Sequence, residues 1–192
     1  MKSIAVIYKS KYGSTKQYAE WIADELNASL FEAANIKPAQ LLNYDVVIYG
    51  GGLYASGING VKLVTKNPCK LLAVFTVGAA DPKTTDYTNI LKKNFSPELL
   101  SKTKIFHLQG GIDYKKLEFN HKIMMAIAKK FRVDNKPQKQ HSDEDRIFLE
   151  TYGKSFDFTE KSTIKPLIDF AQTHQQPHPF CTQLETIRQH DR

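Results

Sequence analysis

Cysteine is scarce in this sequence, with only Cys69 and Cys181 among its 192 residues. The two lie far apart and form no CxxC pair or metal-ligand spacing, which argues against a disulfide framework and a metal site. Long apolar runs are missing too. No stretch approaches the roughly 18 apolar residues of a membrane-spanning helix, and the first apolar run has the length of a strand. We therefore expect a cytoplasmic protein without a bound metal.

Acidic residues are in the minority, since 20 Asp and Glu stand against 27 Lys and Arg and leave a net charge of +7. This balance favours anionic partners, such as anionic small molecules, a membrane surface or nucleic acid. Nucleic acid is the weakest of these, because the sequence has no recognition-helix, RNP or zinc-finger pattern. No nucleic-acid partner is predicted.

The N-terminal stretch, residues 4–19, carries a pattern of strand, polar loop and helix. The apolar residues 4–8 predict a buried strand, and small or apolar residues recur at helical spacing from Thr15 to Leu26. Between them lies a loop rich in hydroxyl groups: Ser10, Lys11, Tyr12, Gly13, Ser14 and Thr15. A loop of this kind offers free N–H groups and the positive end of a helix dipole to an anion. An ordinary strand-to-helix turn with a Ser or Thr cap is the alternative.

With its single glycine, this loop is neither a Walker A loop nor a dinucleotide fingerprint. Further apolar runs predict strands at residues 29–32, 46–49, 70–77 and 104–108, and helical patterns separate them. Most of these strands end in small residues, as in Gly50-Gly51-Gly52 and Gly110-Gly111. The pattern is typical of a doubly wound α/β sheet that binds its ligand at the carboxyl ends of the strands. A last core helix is predicted from Ser162 to His174, followed by a loose tail, residues 175–192.

About fifty residues separate the fifth strand from the last helix, far more than one connection needs. A helix is predicted from Leu117 to Phe131, with Leu117, Met124, Ile127, Ala128 and Phe131 on one face, and a second from Ser142 to about Tyr152. Residues 113–139 hold eight basic and three acidic side chains. A basic helix with two methionines suits a membrane surface or an apolar ligand groove, and equally an ordinary docked helix with a solvated face.

These residues resemble the flavodoxin-like family. Ser10, Gly13 and Thr15 match its S/T-x-T-G-x-T loop, with Tyr12 where Thr is usual, and residues 44–54 resemble its first flavin loop. Residues 109–114 and the basic helix resemble the long insertion of bacterial menaquinone-dependent protoporphyrinogen dehydrogenases. The resemblance covers nearly all of residues 1–173. It implies a five-stranded parallel sheet of order 2-1-3-4-5 in one domain, residues 1–174, with a helical insertion at residues 113–153.

The resemblance also implies non-covalently bound FMN. The six loop residues, Ser10 to Thr15, would surround its phosphate. Two further loops would flank the isoalloxazine: Gly52, Leu53, Tyr54, Ala55, Ser56 and Gly57, then Gly78, Ala79, Ala80 and Asp81. Gly110 and Gly111 would complete the pocket, and Tyr54 is the expected stacking residue, because residues 78–81 lack an aromatic side chain.

The function that the resemblance implies is an FMN-dependent oxidoreductase that takes hydride from a protoporphyrinogen-like substrate and passes electrons to a quinone. Its partners would be an anionic tetrapyrrole-like molecule or quinone, with a peripheral membrane contact through residues Lys115 to Lys139. The alternatives are a flavodoxin-type electron carrier with a redox protein partner, against which the positive charge counts, and an NAD(P)H-linked flavin reductase or an accessory FMN protein. No catalytic acid or base is identified. Among the histidines, His121 is the one candidate for a catalytic role, and the alternative is that it is a solvent-facing helix residue.

Overall fold

A computed structural model of the chain describes residues 3–54, 57–130, 134, 145–146, 149–150 and 152–173, apart from the side chains of Asn120, Met124 and Ala128. Its strands are β1 (Ile4–Lys9), β2 (Ser29–Glu32), β3 (Val46–Tyr54), β4 (Gly57–Ile58), β5 (Leu72–Gly78) and β6 (Lys104–Gln109). Its α-helices are α1 (Ser14–Leu26), α2 (Lys62–Thr65), α3 (Thr88–Asn94), α4 (Pro97–Lys102), α5 (Phe119–Lys129) and α6 (Lys165–Thr173). Short 3-10 helices lie at Ala33–Asn35, Pro38–Asn43 and Lys161–Ile164.

The main sheet is parallel and runs in the order β2-β1-β3-β5-β6. This confirms the predicted α/β class and the predicted order, in which β5 and β6 are the fourth and fifth strands. One detail was wrong: Leu53 and Tyr54 were predicted to lie in a loop. They extend β3 and pair antiparallel with Ile58 and Gly57 of β4, because the chain turns back on itself and satisfies these backbone groups.

Both faces of the sheet are covered, as its almost uninterrupted apolar strands require. On one face, β-strand residues such as Val6, Ile48 and Phe75 pack against α1 and α6. On the other, alternate residues such as Ile7 and Tyr49 pack against the region of α2, α3 and α4. The carboxyl ends of β1, β3, β5 and β6 therefore meet at one edge, between two layers of helix.

The amino end of α1 is set by Gly13, which takes φ +107°. Residues with a Cβ rarely adopt this backbone conformation, so glycine permits the sharp entry into the helix. Space is not the constraint here, because a Cβ on Gly13 would have no neighbouring atom within 4 Å. The carboxyl end of the helix is closed by Asn27 in the left-handed conformation, at φ 47°.

The predicted basic helix is confirmed as α5, which begins two residues after Leu117. The predicted helix of residues 142–152 falls largely outside the described residues; Asp145, Arg146, Leu149 and Glu150 are described, and they are helical. The tail, residues 175–192, lies outside them altogether. Among the residues that the structure describes, no helix combines the length and the hydropathy needed to cross a bilayer.

Candidate functional site

A cavity of about 230 Å³ lies at the carboxyl ends of β1, β3, β5 and β6. Its walls come from the loops after β1 and β6, the ends of β3 and β5, and the inner side of α5. The lining residues are Ser10, Tyr12, Ser14, Thr15, Gly52, Leu53, Tyr54, Val77, Gly78, Ala79, Gly110, Gly111, Ile112, Leu117, His121 and Met125. A cavity at this edge of a doubly wound sheet is the usual ligand site of such folds.

One end of the cavity is formed by residues 10–15, which we call the anion loop. The Gly13 N–H donates to Ser10 Oγ at 3.1 Å, so the loop is closed by its own hydroxyl. The first bond of α1 runs from the Gln17 N–H to the Gly13 carbonyl, which leaves three N–H groups without a partner inside the helix. No side chain in the described part of the chain caps this end, and its first turn holds no acidic residue. The anion loop therefore has the geometry and polarity of a phosphate site.

The loop after β6 lies directly against the anion loop. The Gly111 N–H donates to Ser14 Oγ at 3.2 Å. A Cβ on Gly110 would lie 2.6 Å from Val77 Cγ1 and 3.2 Å from Ser14 Cβ, so a side chain at this position is excluded by packing. This close approach explains the glycine at position 110, while a Cβ on Gly111 would lie 2.6 Å from the Phe156 carbonyl oxygen.

The ends of β3 and β5 form the middle of the cavity. Gly52 lies under the ring of Tyr54, where a Cβ would be 2.9 Å from the ring, and Gly78 lies beside Leu53. Burial, with smaller contributions from the nearby Tyr12 and Glu118, raises the pKa of Tyr54 to about 12. Its hydroxyl therefore stays protonated at neutral pH and remains a hydrogen-bond donor.

The cavity is closed by Leu117, which lies two residues before α5, and by His121 and Met125 on the inner side of the helix; the three follow one another at intervals of four residues. His121 stacks on Tyr54 with a centroid distance of 5.1 Å and an interplanar angle of 14°. Its Nδ1 shares a hydrogen bond of 2.5 Å with Tyr12 Oη. His121 is therefore a site residue rather than a solvent-facing one.

The cavity brings together most of the predicted cofactor residues, namely Ser10, Tyr12, Ser14, Thr15, Gly52, Leu53, Tyr54, Gly78 and Ala79. Lys11, Gly13, Gly57, Ala80 and Asp81 do not line it, and their predicted contacts with a cofactor stay predictions. Lys11 forms an ion pair with Glu118 at 2.7 Å, and Asp81 Oδ1 accepts from the Lys83 N–H at 2.9 Å. Ala55 and Ser56 lie outside the described residues.

Sequence reasoning named His121 as a candidate but missed Val77, Ile112, Leu117 and Met125 as lining residues. The spacing of Leu117, His121 and Met125 was visible, but a histidine between two apolar residues was given no weight as part of a buried face. The predicted apolar face was wrong at Ile127, which is 51% exposed, because the helix is rotated so that His121 and Met125 meet the cavity.

A second histidine, in strand β6, supports the candidate site from within the sheet. His107 of β6 shares a hydrogen bond of 2.6 Å with Thr76 Oγ1 of β5 and stacks on Tyr87, with ring centroids 3.6 Å apart. Two residues further on, Gln109 donates to the Ala79 carbonyl at 3.1 Å. Together these contacts hold the segment from Ala79 to Tyr87 against the sheet. Burial lowers the pKa of His107 from 6.5 to about 4, so the ring is neutral.

The family model described as the flavodoxin domain matches residues 5–139, which include every wall of the cavity. The chain belongs to the flavodoxin domain family. Membership confirms the predicted fold family, and with it FMN as the predicted cofactor. The family match does not by itself assign the chain to the protoporphyrinogen dehydrogenase branch.

Individual relatives of this flavodoxin-domain chain are distant. An uncharacterised protein of Methanocaldococcus jannaschii, MJ0298, is 38% identical over 55 residues, which are 28% of this chain and 36% of that protein. The chain thus matches little more than a third of that relative's length. The Trp repressor binding protein of Bacillus subtilis is 20% identical, with a TM-score of 0.43 over 56% of this chain and 85% of that one. A flavoprotein of Lactobacillus acidophilus in complex with FMN is 15% identical, with a TM-score of 0.38 over 57% and 93%.

Proposed function

We propose that this chain is an FMN-dependent oxidoreductase that dehydrogenates an anionic, protoporphyrinogen-like substrate and delivers the electrons to a quinone. The observation that supports the FMN site is that two features adjoin each other. The first is the amino end of α1, which has no side-chain cap and no acidic residue in its first turn. The second is an apolar cavity between strands that end in glycine. A phosphate-bearing ring compound needs both, one for each of its ends.

The residues present suit FMN. The hydroxyl groups of Ser10, Ser14 and Thr15, with the free N–H groups at the start of α1, would hold the phosphate. The segments Gly52–Tyr54 and Gly78–Ala79 would flank the ring system, where Gly52 and Gly78 leave room for close approach. When bound, FMN supplies the hydride and single-electron chemistry. The protein's part is to orient the ring and, through Leu117 and Met125, to exclude water from it.

The charge around the cavity supports an anionic substrate. Lys115, Lys122 and Lys130 flank the α5 wall, and none of them has an ion-pair partner among the described residues. Their field would attract the carboxylates of a tetrapyrrole-like substrate and would oppose docking of a basic redox protein. An enzyme is therefore favoured over an electron carrier, which typically presents acidic groups around its flavin.

A peripheral membrane contact forms part of this proposal, because a quinone acceptor resides in the bilayer. On the outer side of α5, Phe119, Ile123 and Ile127 are 75%, 42% and 51% exposed and follow each other on successive turns. Lysines beside this apolar stripe complement anionic headgroups. The same helix would then face the lipid surface on one side and the cavity on the other.

The first experiment measures FMN binding by the purified protein. The variant Ser14→Asp places a negative charge in the first turn of α1, so we expect at least a tenfold loss of FMN affinity and little change in riboflavin affinity. Ser96→Asp, at the amino cap of the remote helix α4, is the matched control and should bind FMN normally. Equal losses for FMN and riboflavin would place the phosphate elsewhere.

The second experiment measures protoporphyrinogen oxidation with menadione as acceptor, in parallel with reduction of the protein by a ferredoxin reductase. The proposal expects oxidation of the porphyrinogen coupled to quinone reduction. A yellow protein that leaves the porphyrinogen unchanged but cycles with the reductase is an electron carrier instead. A protein without affinity for FMN rules out both functions.

A further inference from the structure

Three contacts connect the anion loop to the beginning of α5, which lies more than a hundred residues further along the chain. The Glu118 N–H donates to Tyr12 Oη at 3.3 Å. The same oxygen shares the 2.5 Å hydrogen bond with His121 Nδ1. Beside them, Lys11 Nζ donates to Glu118 Oε2 at 2.7 Å. A single hydroxyl group of the loop thus joins both the cap residue of α5 and a side chain one turn further on.

His121 carries this connection to the remaining walls of the cavity. Its ring stacks on Tyr54 at the end of β3, while Tyr12 meets Tyr54 edge-on at a centroid distance of 6.3 Å. Met125, four residues after His121, lines the same cavity. His121 therefore connects Tyr12 to the α5 wall of the cavity.

The Tyr12 hydroxyl and the Lys11–Glu118 ion pair differ in how strongly each can connect the anion loop to α5. Lys11 and Glu118 have 32% and 58% of their side chains exposed, so solvent screens their attraction and the pair contributes little. Tyr12 instead lines the cavity and makes two hydrogen bonds, of which the one shared with His121 Nδ1 is part-buried beside the rings of Tyr54 and His121. We expect Tyr12 to carry most of the connection.

We propose that Tyr12 is a positioning residue that couples the binding of a phosphate group in the anion loop to the seating of α5 against the cavity. A phosphate held by the free N–H groups of the loop restricts the loop backbone, and with it Tyr12. A restricted Tyr12 in turn holds Glu118 and His121 in place. By linkage, a seated α5 must strengthen phosphate binding by the same factor. The proposal rests on the proposed function only in taking the anion loop as the phosphate site.

The test is hydrogen exchange of the full chain, with inorganic phosphate as the probe and without FMN. In the wild type, saturating phosphate should slow amide exchange in residues 119–129 about fivefold, the lower end of typical coupling. In Tyr12→Phe, which keeps the ring and removes the oxygen, this slowing should disappear and phosphate affinity should fall by the same factor. If Tyr12→Phe speeds exchange equally with and without phosphate, its role is structural and the proposal is wrong.

Two further variants test whether the coupling runs through His121. His121→Phe keeps an aromatic ring against Tyr54 but lacks Nδ1, so it should lose the coupling as Tyr12→Phe does. Tyr44→Phe, a tyrosine that packs on Phe31 at the far side of the sheet, should keep it. Coupling that survives in His121→Phe would show that Tyr12 does not act through His121 and would overturn the proposal.

Lys11→Met provides the comparison with the ion pair, and Lys102→Met, which breaks the exposed Lys102–Glu98 pair of the same 2.7 Å length, is its control. Both should keep the phosphate effect within about twofold of the wild type. A loss of coupling in Lys11→Met alone would assign the coupling to Lys11 and would contradict the proposal.

The two proposals can fail separately. FMN binding without any phosphate effect on α5 overturns this proposal alone, whereas coupling to phosphate in a protein that does not bind FMN overturns the proposed function alone.

Discussion

Two histidines of this chain show how the same residue type takes different roles according to its surroundings. His121 lies in the cavity wall, where it contacts two tyrosines. His107 lies below the cavity between Thr76 and Tyr87, neither of which is a predicted site residue. Sequence reasoning placed His107 in a strand correctly, but could not foresee its neighbours, because stacking partners come from the tertiary fold.

The buried state of His107 predicts a pH dependence of stability. Because burial lowers its pKa from 6.5 to about 4, the unfolded chain binds a proton in this interval that the folded chain does not. The free energy of unfolding should therefore fall as the pH drops from 6.5 to 4. The ring is only partly buried and solvent screens it, so we expect a loss of about 1–2 kcal/mol.

Urea unfolding at several pH values checks this prediction. His107→Gln keeps an acceptor for Thr76 but cannot take up a proton, so its stability should fall less than that of the wild type over the same interval. Tyr87→Phe keeps the stacked ring and the histidine, and should retain the full dependence. Identical pH profiles for the wild type and His107→Gln would contradict the assignment.

At the level of strands and helices, most of the fold could be predicted from the sequence. Uninterrupted apolar runs marked the parallel strands, and helical spacing marked α1, α5 and α6, since each pattern reflects which faces are buried. The two-residue strand β4 could not be found in this way, because it owes its existence to pairing with β3 rather than to a pattern of its own. The inner side of α5 was missed for a similar reason: only the folded site shows which side of the helix meets it.

The glycine end of β3 is a place where element packing can be tested directly. A Cβ on Gly50 would lie 2.6 Å from both Cε atoms of Phe75 and nearer still to Cζ, and both residues are buried. Gly50→Ala should therefore force Phe75 out of its position and lower the free energy of unfolding by about 1–3 kcal/mol. Chemical denaturation of the variant and the wild type measures the difference.

A compensating substitution distinguishes overpacking from other effects of alanine. Phe75→Leu removes the ring atoms that the new Cβ would meet, so Gly50→Ala should cost much less in that background than alone. Gly57→Ala is the control at a neighbouring strand, since its Cβ would come no nearer than 3.4 Å to another atom outside its immediate neighbours. Additive effects of Gly50→Ala and Phe75→Leu would show that the two residues do not clash.

Over the whole molecule, much of the net positive charge lies in the segment around α5, since residues 113–139 hold eight basic and three acidic side chains. The chain carries a net charge of +7, and five lysines lie in α5 or next to its ends: Lys115, Lys116, Lys122, Lys129 and Lys130. Two of them have acidic neighbours, Lys116 with Asp113 and Lys129 with Asp134. The remaining three, Lys115, Lys122 and Lys130, lie within four residues in sequence of the exposed stripe of Phe119, Ile123 and Ile127, an arrangement suited to a surface that is both apolar and anionic.

This arrangement predicts binding to lipid vesicles that contain phosphatidylserine, and much weaker binding to vesicles of phosphatidylcholine alone. Each lysine near an anionic surface contributes about fivefold in affinity, and salt reduces the effect.

The triple variant Phe119→Ser, Ile123→Ser, Ile127→Ser should lower vesicle binding at least tenfold in a sedimentation assay while FMN binding is retained, because these side chains point away from the cavity. Leu30→Ser with Leu42→Ser removes two other exposed apolar residues and is the control. Equal binding of the triple variant and the control would show that α5 is not the contact, and binding that ignores lipid charge would exclude the role of the lysines.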